Sequence, residues 1–125
     1  MKATWIESSR EDLIKAKKKF DIGDFKTVCL LSRKSACKSL MSMIYSEIET
    51  SERKLEDVFK IFIEKTGKGE DIEEMVDFLT KYTLEEDITS PLLAAHWNGL
   101  PTKEEAEKAL RYAEIILNYV EELDG

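Results

Sequence analysis

The residues able to do chemistry are few, and their spacing excludes most of it. His96 is the single histidine, and Cys29 and Cys37 are the two cysteines. One His and no close Cys pair cannot make a usual zinc site, and a di-iron bundle would need two Glu-x-x-His pairs. No metal and no cofactor is expected. The glycine-rich stretch TGKGE is too short for a phosphate loop and follows no strand pattern. The 26 Asp and Glu offer many carboxylate pairs for acid–base work, but no spacing singles one out. Two clusters remain. Arg33, Lys34 and Lys38 form a cationic group suited to an anion, and His96 with Trp97 and Asn98 forms the most unusual polar cluster. Each has a plainer reading. The lysines can be one solvated face, and the His96 segment a turn that packs Trp97 over the end of the fold.

The elements that must position these residues are helices. A chain of 125 residues is long enough for one core and too short for two ordinary domains, so residues 1–125 read as a single domain. Apolar residues at three- and four-residue spacing mark a first helix from about Ser9 to Phe20, capped at Ser8 or Ser9. After Gly23 and Asp24 a second helix runs to about Glu47. Ser51 can cap a third, whose stripe is Leu55, Val58, Phe59 and Phe62. A fourth carries Ile72, Met75, Val76, Leu79 and Tyr82 and stops before Pro91. Thr102, with Glu105 three residues on, opens a fifth with the stripe Ala106, Ala109, Leu110, Ala113, Leu117 and Val120. No alternating strand pattern competes. The fold class is all-α, an antiparallel up-and-down bundle of four or five helices.

The second helix is unusual. Serines at 32, 35, 39, 42 and 46 follow one helical face, and a second arc holds Phe25, Cys29, Leu30, Ala36, Cys37, Leu40, Met41, Met43 and Ile44. Only Lys34, Lys38 and Tyr45 leave a polar strip, which makes this a central helix. The serines allow a neighbouring backbone to approach closely, the alternative being hydroxyls that hold a ligand. The cysteines, eight residues apart on it, stand about 12 Å apart along the axis, beyond disulfide reach. They are expected to be reduced core thiols. The breadth of the apolar arc suggests self-association through Leu30, Cys37, Met41 and Ile44. Arg33 falls inside that arc, so it must pair, reach solvent along its stem, or await an anion.

Charge limits the partners. Residues 1–40 hold ten Lys and Arg against five Asp and Glu, a net +5, and the remainder holds nine against twenty-one, a net −12. The overall −7 excludes general affinity for duplex DNA, which needs Lys and Arg to neutralise phosphates. The basic half is either ordinary solvated surface or a face that docks phosphate or an acidic partner, with Lys15, Lys18, Lys34, Lys38 and Arg33 as its members. No run of apolar residues is long enough to span a bilayer and MKATWIESSRED lacks a signal core, so a cytoplasmic protein without membrane association is expected. Charged residues at 36%, no Gln, and Asn only at 98 and 118 resemble the bias of thermophile proteins.

The segment GDFKTVCLLSRKSACKSLMSMIY, preceded by DLIKAKKKFDI, resembles the HEPN domain, a family named from its occurrence in higher eukaryotes and prokaryotes. Ala16, Gly23, Asp24, Phe25, Ala36, Lys38 and Leu40 fall in register with its pattern, and LPTKEEAEKALRYAEIILNYVEEL is similar to its last helix. The resemblance implies a helical bundle that commonly forms a homodimer. It also implies nucleotide binding, partnership with a minimal nucleotidyltransferase in a toxin–antitoxin-like pair, or RNA cleavage. Cleavage in the family goes with an Arg, a gap of four to six residues, and a His. Here the three positions that would need Arg before His96 are Thr89, Ser90 and Pro91, so the motif is absent. The family's Glu in the second helix is replaced by Cys37, and its Arg-Tyr pair after the fourth is missing. The expectation is a non-catalytic binding module for a mononucleotide or a nucleotidyltransferase subunit, through Arg33, Lys34, Lys38, His96 and Trp97. The alternative is an enzyme acting on RNA or nucleotides near His96.

Overall fold

The first helix, α1, spans Lys2–Asp21 in the computed structural model, which describes residues 2–44, 54–82 and 101–124. It starts well before the serine cap suggested by the sequence. Trp5 and Ile6 pack on the core and continue the stripe of Leu13 and Ala16 toward the amino end. Ser9 sits within that stripe, fully buried, so its hydroxyl serves a neighbouring helix and not its own amino terminus.

The turn from α1 to α2 (Phe25–Ile44) follows from Gly23 and Asp24. Gly23 has φ 79°, in the left-handed region that only glycine enters without cost. Its N–H donates to the Phe20 carbonyl at 3.0 Å, and the Asp24 N–H donates to the Lys19 carbonyl at 2.9 Å. This pair of bonds is the Schellman closure of a helix. Asp24 then caps α2, its Oδ1 accepting from the Thr27 N–H at 3.3 Å. The Phe20 and Phe25 rings meet across the turn, centroids 5.5 Å apart.

Helix α3 (Leu55–Thr66) begins after Lys54 with no side-chain cap. It closes on Gly67, φ 70°, whose N–H donates to the Ile63 carbonyl. A 3-10 turn over Glu70–Ile72 leads into α4 (Glu73–Thr80). Gly69 suits this corner because its φ of 123° is one that other residues rarely adopt, and a Cβ there would also press on Ile63 and Phe59 side-chain carbons at 3.1 Å. Helix α5 (Lys103–Asp124) starts as the sequence predicts, with the Glu105 N–H on Thr102 Oγ1 at 3.1 Å. The expected end of α2 near Glu47, the Ser51 cap and the Pro91 stop lie outside the described residues.

Contacts fix the topology. Ser9 meets Ser35 and Ser39, so α1 and α2 run antiparallel. Arg10 pairs with Glu121 and Lys17 with Glu114, so α1 and α5 do too. The Gly69 N–H donates to the Tyr119 hydroxyl and Tyr82 bonds Glu105, which sets α4 antiparallel to α5. The described residues contain no strand. Helix α2 touches each of the other four, the central position predicted from its wheel. Its Val28, Cys29, Ala36, Leu40 and Ile44 join Leu55, Val58, Phe62, Val76, Leu79, Ala109 and Ile116 in one core. Cys37, Met41 and Ile44 are also covered within the single chain. Of the four residues that the sequence assigns to self-association, these three are therefore interior, while Leu30 is half-buried.

Candidate functional site

The serine face of α2 is a packing surface. Ser32, Ser35, Ser39 and Ser42 are fully buried. The Ser9 hydroxyl lies 2.9 Å from the Ser35 carbonyl, 2.8 Å from the Ser35 hydroxyl and 2.8 Å from the Ser39 hydroxyl. Ser39 also donates back to the Ser35 carbonyl at 3.0 Å, and Ser42 to the Ser39 carbonyl at 2.7 Å. The hydroxyls of Ser35, Ser39 and Ser42 are thus satisfied inside the helix pair, which removes them as ligand donors. Among the described serines of this face, Ser32 Oγ alone makes no hydrogen bond, and Ser46 lies outside the described residues.

One turn along, the polar face opens. Lys38 Nζ meets Asp12 Oδ2 at 2.9 Å, and the carboxylate is almost wholly buried. Lys38 is thus neutralised by α1, so the cationic group loses one member. Lys15 lies one turn beyond Asp12, and Lys34 one turn before Lys38. In an antiparallel pair these steps go the same way, so Lys15 and Lys34 stand at one level above the Asp12–Lys38 bond. Both are exposed, as is Lys18. Among the described residues none pairs with them, whereas the cations on the other edge of α1, Arg10 and Lys17, are held by α5 carboxylates. The α1–α2 surface therefore keeps a narrow strip of uncompensated positive charge.

Arg33 is not part of that strip. It lies about 100° further round α2 than Lys34, on the side of Cys37, and is only 3% exposed. Its Nε has no hydrogen-bond partner, and no described residue forms an ion pair with it. Burial pushes the Cys37 thiol up to about 11, against the nearby Arg33 and then Lys38 charges, which pull it down. The thiol is therefore neutral at physiological pH and cannot serve as the counter-ion.

A second polar network has no counterpart in the sequence reading. Tyr82 donates to Glu105 Oε2 at 3.0 Å, and the Cys29 thiol bonds the Tyr82 hydroxyl. Burial pushes Cys29 up to about 12, opposed by the Tyr82 hydrogen bond, and burial with the Cys29 and Glu105 neighbours raises Tyr82 well above its ordinary range. Neither group ionises near neutrality, so the network ties α2, α4 and α5 together and supplies no nucleophile. Beside it, Lys81 and Lys108 lie 4.1 and 4.8 Å from the Phe78 centroid, with Tyr112 edge-on at 5.4 Å. The only sequence signal for either cluster is the four-residue spacing of Phe78 and Tyr82.

His96 and Trp97 lie outside the described residues. Among those described, no group of three His, Cys, Asp or Glu is placed to hold a metal ion, and no helix is long and apolar enough to cross a membrane.

A family model described as the HEPN domain matches residues 3–123. Two solved structures share the fold over nearly the whole of both chains. TT1696 from Thermus thermophilus is 25% identical, with a TM-score of 0.75 over 97% of this chain and 96% of that one. ST0689, an archaeal HEPN homologue, is 23% identical, with a TM-score of 0.74 over 98% and 97%. No curated protein matches the chain.

Proposed function

This chain belongs to the HEPN domain family, and we propose that within it the protein acts as a non-catalytic binding module whose α1–α2 face docks an acidic partner surface. The observation that carries the reading is the strip of Lys15, Lys18 and Lys34, exposed and without carboxylate partners among the described residues, on a molecule of net charge −7. A local positive patch on an acidic protein speeds encounter with an acidic surface, while the remaining charge repels a long polyanion. The absence of the Arg, gap, His pattern before His96 supports binding over RNA cleavage. A nucleotidyltransferase subunit is the partner that the family membership favours. We also propose that the module forms a homodimer through the outer edge of α1, because Ile14 stays exposed there, one turn from Arg10 and Lys17.

The docking test is titration of the full chain with a co-encoded nucleotidyltransferase and with duplex DNA at two salt concentrations. Affinity for the enzyme should fall with salt, and Lys15→Glu with Lys34→Glu should weaken it by roughly tenfold to a hundredfold. Tight duplex binding, or enzyme binding that ignores both substitutions, would reject the face. Lys38→Ala should have a smaller effect on docking, because Asp12 already neutralises that charge.

A further inference from the structure

Along the side of α1 that faces away from the core, Glu7, Glu11, Ile14 and Lys18 are all exposed. Steps of four, three and four residues keep them within about 60° of arc, opposite buried Ser9 and Ala16. The strip is polarised along its length. Carboxylates occupy its amino-terminal half and lysines, with Lys15 beside Lys18, its carboxyl-terminal half, and Ile14 stands between them. None of Glu7, Glu11, Lys15 and Lys18 is in an ion pair among the described residues, whereas Arg10, Asp12 and Lys17 on the flanking edges of the same helix all are. The helix dipole favours this order of charge, but it gives no reason for an exposed isoleucine at its centre. With Ile22 in the following turn, Ile14 is one of the two most exposed large apolar side chains among the described residues.

An order of negative, apolar, positive becomes its own complement when the helix is turned end for end. We infer that this strip pairs antiparallel with the same strip of a second copy, about a two-fold axis beside Ile14, and that the pairing closes the lysine docking face. Glu11 lies three residues before Ile14 and Lys18 four after it, so each Glu11 falls opposite the partner's Lys18 and the two Ile14 side chains meet between the ion pairs. A parallel pairing would set Glu11 against Glu11 and Lys18 against Lys18, so charge selects the antiparallel one. Each exposed ion pair contributes at most about 1 kcal/mol, and a single helix seam is a small interface. The association is therefore weak and follows chain concentration. This inference rests on the docking and self-association readings above and joins them, because Lys18 belongs to both surfaces. In the pair Lys18 is held by a carboxylate and the second helix lies over neighbouring Lys15, so an acidic partner can dock only on the single chain. Pairing and docking exclude each other, and each weakens the other by the same factor.

The test is a charge exchange in the full chain, read by analytical ultracentrifugation. Glu11→Lys and Lys18→Glu should each weaken the dimer by roughly tenfold or more, because each sets like charges opposite one another. Mixed one to one, the two variants should pair, and the double variant should recover the wild-type dimer, since both arrangements restore opposite charges. The two positions are about two turns apart on α1 and do not neighbour each other within one chain, so recovery reports the contact between copies. A wild type that stays a single chain, a dimer indifferent to either reversal, or a mixture and double variant that fail to pair would overturn the pairing. Closure is read with a co-encoded nucleotidyltransferase at trace concentration. Its affinity per wild-type chain should be roughly fourfold weaker at ten times the dimer midpoint than at a tenth of it, as the fraction of single chains falls. Affinity independent of chain concentration, or enzyme bound to the intact dimer, would overturn the closure. Enzyme binding at neither concentration would reject the docking reading and the closure with it, while the charge exchange still decides the pairing.

Discussion

Ser9 shows how a single hydroxyl can decide a helix contact. Its oxygen lies within 2.9 Å of three oxygens on α2, the Ser35 carbonyl and the Ser35 and Ser39 hydroxyls, so Ser9→Ala leaves these groups short of a partner in a dry interface. The expected loss is about 1–2 kcal/mol in urea unfolding. Ser39→Leu should cost more than Ser9→Ala, because it forces α1 away from α2 as well. The two thiols make a second prediction at this scale. Both are raised above the ordinary 9.0, Cys29 to about 12 and Cys37 to about 11. Below pH 9 both states hold the proton, so the thiols leave stability unchanged. Between pH 9 and about 11 the unfolded chain releases protons that the folded chain keeps, so stability must fall as pH rises through that window. Unfolding midpoints measured from pH 7 to 11 should decline above 9, and less steeply in Cys37→Ala compared at matched starting stability. A flat profile would show that the thiols are not buried as described.

The helices are set by caps of unequal quality. Asp24 caps α2 and follows the Gly23 closure of α1, so one link ends one helix and starts the next. Thr102 caps α5 through the Glu105 N–H. Each is exposed to single substitution, and Asp24→Ala or Thr102→Ala should cost about 1 kcal/mol. Gly23→Ala should add a penalty of about 1 kcal/mol or more, because its φ of 79° is the left-handed region and not because of crowding, since nothing lies near its Cβ position. By contrast, Lys54 contributes no side-chain bond at the start of α3, so Lys54→Ala should leave stability nearly unchanged. Denaturant titration of these four variants tests the ranking. Equal losses at Lys54 and Asp24 would contradict it.

For the whole molecule, the prediction is assembly. Cys37, Met41 and Ile44 are interior, so a contact between copies has to use other residues. Ile14, on the outer edge of α1, is 55% exposed. Light scattering at micromolar concentration should report twice the 14.4 kDa chain mass, and Ile14→Glu should return it to one chain. A single-chain mass in the wild type would reject self-association, and a dimer unaffected by Ile14→Glu would place the contact elsewhere.

The helical class, the Gly23–Asp24 turn, the Thr102 cap and the central place of α2 were all legible in the sequence, because three- and four-residue periodicity, glycine conformation and cap chemistry are local properties. The family was legible too, since the residues that carry its pattern lie along one stretch of α1 and α2. The start of α1 was not, because Ser9 looks like a cap by type and only its neighbour α2 makes it a buried contact. Lys38 and Lys34 are equivalent as sequence, four residues apart on one helix, and the placement of Asp12 on α1 neutralises one and leaves the other without a partner among the described residues. The Cys29, Tyr82 and Glu105 network joins three helices far apart in the chain. Which side chains share an environment across helices depends on the rotation and approach of each pair, and periodicity along one helix carries no record of that.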